Sequence, residues 1–71
     1  MDRRTAILDI CRSICSRELI LFNDFQLGKF YDFNSIWLDQ NFPFDSPGSF
    51  YSLVSKLKFQ MPRLFGYREE A

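Results

Sequence analysis

Apolar positions near the start of the chain recur at the spacing of an α-helix. Ile7, Ile10, Cys11, Ile14 and Cys15 form one stripe, widened by Leu8, and Thr5, Asp9, Arg12, Ser13 and Ser16 fall opposite. This predicts an amphipathic helix over residues 2–17, with Asp2 placed to accept from a free N–H of the first turn. Arg3 and Arg4 sit against the positive end of the helix dipole, a placement the helix alone does not favour. Glu18 would enter the stripe if the helix ran straight on, so the helix is expected to end there or to carry Glu18 at its edge.

A second stripe runs through Phe50, Leu53, Val54 and Leu57, at i, i+3, i+4 and i+7, with Ser49, Ser52, Ser55 and Lys56 facing away. Asp45-Ser46-Pro47 supplies a cap and then a proline suited to a first helical turn. A helix is predicted from Ser46, ending near Lys58 to Gln60 because Met61 precedes Pro62. One further turn beyond it would return Leu64 and Phe65 to the body of the protein.

The middle of the chain carries no single period. Leu19 to Phe22, then Asn23-Asp24, then residues 25–30 read as two short strands about a turn, although Asn-Asp is a weaker turn signal than Asn-Gly. The competing expectation is that the first helix ends near Phe22 and Asn23-Asp24 turn or cap the chain into an irregular or helical connection punctuated by Gly28. Asn34 is then expected to cap a short helix, Ser35 to Asn41, with Phe33, Ile36 and Trp37 turned to the core and Leu38 away from it. Phe42-Pro43-Phe44 ends that helix, since the residue before a proline avoids the α region. The fold class that results is mostly α: one domain over 1–71, built as a small orthogonal bundle of three helices. A fourth helical turn and a short β-hairpin at 19–30 remain open alternatives.

Composition adds an excess of rings. The chain has nine Phe, three Tyr and one Trp in 71 residues, and residues 30–44 alone hold Phe30, Tyr31, Phe33, Trp37, Phe42 and Phe44. A domain this small buries only about 60% of the surface its unfolded chain exposes, so some rings should stay outside. Leu38, Phe42, Phe44 and Phe59 are the side chains least easily turned inward, and together they are the candidate surface for a protein partner or a second copy.

Charge is neutral in total and dipolar along the chain. Residues 18–45 hold five acids and only Lys29, whereas Lys56, Lys58, Arg63 and Arg68 lie in the last third. A basic helix following a short turn resembles the second helix of a DNA-binding helix-turn-helix, with Ser49, Ser52, Ser55, Lys56, Lys58 and Arg63 as its candidate contacts. The neutral total charge argues against nucleic acid as the main partner.

Catalytic chemistry finds little purchase. The chain has no His and two Cys, too few ligands for a structural zinc site and too few thiols for a disulfide scaffold. No phosphate-binding glycine loop is present, and no cofactor or metal is expected. Cys11 and Cys15 read as reduced core thiols suited to a cytoplasmic, reducing compartment. The longest unbroken run of large apolar residues, Leu19 to Phe22, is far short of a membrane span. Taken together these features predict a small non-enzymatic regulatory or accessory protein that works by protein–protein interaction through an aromatic-rich surface, with a nucleic-acid-binding regulator as the alternative.

Overall fold

Three helices, α1 (Arg3–Glu18), α2 (Asp24–Asn41) and α3 (Pro47–Leu64), pack on one another around a single core. The structure is a computed structural model and describes residues 2–64.

Helix α1 follows its pattern closely. The Asp2 carboxylate accepts from the Thr5 N–H at 2.8 Å, and Ile7, Cys11, Ile14 and Cys15 are buried. Arg3 and Arg4 are explained by α2 rather than by α1. Arg3 Nη1 donates to the Asp39 carbonyl in the last turn of α2, where the partial charge is negative, and its guanidinium lies 5.5 Å from the Phe42 ring. Arg4 stands 5.2 Å from the ring of Tyr31. The helix closes at Leu19, which takes a left-handed conformation with φ 60°, and the Ile20 N–H returns to the Cys15 carbonyl. Glu18, its final residue, reaches the edge of the stripe and meets Lys58 of α3 at 3.2 Å.

In the middle of the chain the helical alternative holds and the hairpin does not. Residues 19–30 contain no strand: after an extended connector, Asn23 caps α2 by accepting from the Gln26 N–H at 2.8 Å. Asp24 lies in the first turn, where helix N–H groups favour an anion, and Arg12 holds its carboxylate at 2.9 Å. Asn23-Asp24 therefore starts a helix instead of turning a hairpin. The alternation that suggested a strand is still present, with Leu19 and Leu21 exposed and Ile20 and Phe22 half-buried, but it belongs to a stretched linker.

Helix α2 then runs through Gly28 and through Asn34, so the expected short helix from Ser35 is the second half of a longer one. Asn34 does mark a boundary. Its backbone leaves helical geometry (φ −116°, ψ 19°), and its side-chain N–H groups donate to the Phe30 carbonyl at 3.0 Å and to Gln60 Oε1 at 2.7 Å. Bonding back to the i−4 carbonyl competes with the regular helix bond and kinks the axis. Gln60 answers with a longer bond, Nε2 to Asn34 Oδ1 at 3.4 Å. A reciprocal pair of amides thus ties α2 to α3.

The connection to α3 is tight. The Phe44 N–H bonds the Asn41 carbonyl at 2.7 Å across a cis Phe42–Pro43 peptide. Phe44 has a positive φ of 62°, a conformation that costs about 1–3 kcal/mol outside glycine. The residue is buried, its ring stacked on Trp37 and met edge-on by Phe42, and such burial contributes about 1.5–3 kcal/mol in return.

At the start of α3 the Ser46 hydroxyl accepts from the Ser49 N–H, as its cap position requires. The helix outlasts its expected end by several residues. Met61 is buried and Gln60 is held by Asn34, which keeps the chain helical through Pro62, whose missing N–H leaves only the exposed Lys58 carbonyl unserved. Of the further turn expected to return Leu64 and Phe65 to the body of the protein, Leu64 closes α3, while Phe65, like the candidate basic residue Arg68, falls outside the described residues.

Candidate functional site

Every fold of three helices must spend one face of each helix on the core. In α2 that face is Leu27, Phe30, Asn34 and Leu38, all buried, spaced by three or four residues. Advancing about 100° per residue places Phe25, Lys29, Asp32, Phe33 and Ile36 together on the opposite side. Three of these five are large and apolar, and they remain 71%, 70% and 75% exposed at Phe25, Phe33 and Ile36. Helix α2 is consequently apolar on both faces, and only one of them is covered.

The outer face has relief as well as apolarity. At one end a shallow depression of about 320 Å³ is lined by Asp24, Phe25, Gly28, Lys29 and Asp32 together with Arg4 of α1. At the other end a second, of about 380 Å³, is lined by Asp32, Phe33, Ser35, Ile36 and Gln40 and reaches round to Asn34 and Trp37. Asp32 stands between them. The Lys29 ammonium lies over the Phe25 ring at 5.5 Å, and among the described residues neither Lys29 nor Asp32 joins an ion pair.

The surface expected from sequence is not assembled. Leu38 is fully buried on the core face of α2, and Phe44 is nearly so because the turn after α2 folds back onto the core. Phe42 is half-buried beneath Arg3. Phe59 alone is exposed, on α3, with the Arg63 guanidinium 4.1 Å from its ring. Phe33 and Ile36, expected inside, are outside. The burial of Leu38 and the exposure of Phe33 and Ile36 have one cause: the phase of α2 is set from Leu27 onward, and continuing it past Asn34 carries Leu38 inward and leaves Phe33 and Ile36 outside.

The candidate nucleic-acid contacts also separate. Residues two apart on a helix lie about 200° apart around it, and Lys56 and Lys58 flank α3 on opposite sides. Lys56 sits 4.7 Å from the Trp37 ring of α2, whereas Lys58 pairs with Glu18 of α1. Arg63 is drawn onto Phe59 and donates to its carbonyl at 2.7 Å. Ser49 is engaged with Ser46 at the cap, leaving Ser52 and Ser55 exposed beside Lys56, Trp37 and Tyr51.

Both thiols are withdrawn from the surface. Cys11 and Cys15 are free and buried, and desolvation pushes their thiols up to about 12 and about 11, so both stay protonated. Among the described residues no group of three or more His, Cys, Asp or Glu is placed to hold a metal ion, and no helix is long and apolar enough to cross a membrane. A smaller apolar groove of about 270 Å³, lined by Leu19, Ile20, Leu21, Lys58 and Pro62, lies at the far end of α1. Comparison with protein-family models, curated proteins and solved structures finds no match to the chain.

Proposed function

We propose that this chain is a small non-enzymatic regulatory or accessory protein that acts by docking the outer face of α2 onto a protein surface. One observation carries the proposal: Phe25, Phe33 and Ile36 share one side of a helix whose other side already forms the core, yet stay at least 70% exposed. Scattered exposed apolar residues are ordinary on a small protein, but a grouped set is what interaction surfaces are made of. Such side chains add binding energy without being needed for folding. The reduced, buried thiols suit a reducing intracellular compartment. Nucleic-acid binding through α3 has less behind it, since Lys56 and Lys58 cannot address the same groove from opposite flanks.

The test is site-specific photocrosslinking in the host cell. A photoreactive residue at position 36 is expected to give a discrete protein adduct, while one at position 16, on the polar side of α1, gives none. Failure to crosslink at 36, or equal labelling at both positions, would overturn the docking surface.

A further inference from the structure

We infer that the occupant of this face is a second copy of the chain, paired through α2 antiparallel to α2 about a two-fold axis at the midpoint between residues 30 and 31. The inference rests on the docking surface just proposed and specifies its partner. Its basis is the self-complementary order of the stripe. Positions 25 and 36 are equidistant from that midpoint, and so are positions 29 and 32. A closed two-fold contact requires that residue i meet residue j while j meets i. Antiparallel pairing there sets Phe25 of each copy against Ile36 of the other, and Lys29 of each against Asp32 of the other.

Both the relief and the charges fit this arrangement. The depression beside Phe25 receives the Ile36 side chain of the second copy, and the depression beside Ile36 receives its Phe25. Each copy then contributes one cation and one anion, so that the two ion pairs bracket the axis and fix the direction of pairing. A parallel arrangement about the same stripe would set Lys29 against Lys29 and Asp32 against Asp32. Like charges facing one another across an interface are what a protein uses to reject a wrong pairing.

Area sets the strength. Three side chains of roughly 150 Å² each amount to about 450 Å² per copy, well below the ~800 Å² per partner of a standard stable interface. The pairing is therefore weak and concentration-dependent.

Sedimentation equilibrium over a concentration series up to several hundred micromolar tests this with the whole chain. Wild type should self-associate, and K29D and D32K should each weaken that association by about tenfold or more. An equimolar mixture of K29D and D32K should recover it as a heterodimer, because one chain then carries two acids and the other two bases. The double variant K29D/D32K should associate with itself like wild type. Circular dichroism of each variant confirms that these exposed substitutions leave the helices in place. A wild type that stays monomeric throughout overturns the inference, as does an association indifferent to both single variants and to Ile36→Ser. A monomer whose position 36 still crosslinks to a different protein would sink the pairing and leave the docking face standing.

Discussion

The two faces of α2 are made of much the same material and meet opposite fates. Leu27, Phe30 and Leu38 are wholly buried, whereas Phe25, Phe33 and Ile36 are at least 70% exposed. Hydrophobicity does not separate them. What separates them is phase: a helix between two neighbours has one side to give, and α1 and α3 converge on the side that also presents Asn34 to Gln60. The outer face is then left with an apolar character that folding does not use.

That contrast can be broken most sharply by truncation. Phe30→Ala or Leu38→Ala should cost about 2–5 kcal/mol in urea unfolding, from lost transfer energy and a cavity that cannot fully collapse. Ile36→Ser, two residues from Leu38, should change stability by less than about 0.5 kcal/mol at concentrations where the protein is monomeric. Equal losses at positions 36 and 38 would mean that the two faces are not distinct.

A smaller effect is expected from the amides that choose between the faces. Asn34→Ala leaves Gln60 without its partner and should cost about 1–3 kcal/mol. Replacing both, Asn34→Leu with Gln60→Leu, should recover most of that loss, since removing the two partners together strands no polar group. Urea midpoints of the single and double variants decide it. Failure of the double variant to recover would show that the kink at Asn34, and not the pairing, holds α2 in phase.

The smallest effect probes how dry the inner side is, and it appears with pH. Because the thiols of Cys11 and Cys15 are raised in the folded protein to about 12 and about 11, the unfolded chain loses those protons first, near pH 8.5. Their contribution to stability is full below that pH and is lost as pH climbs toward the folded values. For Cys11 the loss at pH 9 is under about 1 kcal/mol, and Cys11→Ala should flatten the decline. Thiol reagents should likewise react slowly with folded protein and rapidly in denaturant.

Much of this was legible in the chain, and the exceptions are instructive. The stripes of α1 and α3, the caps at Asp2 and Ser46, and the stop at Phe42-Pro43 follow from local rules and stand in the structure. In α2 a polar residue occupies a core position. Asn34 interrupts the run Leu27, Phe30, Leu38, so the segment divides into a connection open to hairpin or helix and a short helix that starts too late, and the division inverts the faces. The partner of that asparagine lies 26 positions away at Gln60, which no local pattern contains. The exposed stripe was hidden by the same break, because Phe25 and Ile36 share a face only if the helix passes unbroken through both Gly28 and Asn34.

Trp37 is the only tryptophan in the chain, and it lies stacked on Phe44 with the Lys56 ammonium above its ring. Its indole therefore touches α3 and the turn that joins α3 to α2, while belonging to α2 itself. The protein carries its own optical gauge of that junction. Tryptophan emission follows the seating of the turn and α3 against α2, whereas far-ultraviolet ellipticity follows the helices wherever they are. Recorded together, the two signals distinguish a chain whose helices have come apart from one whose helices have melted.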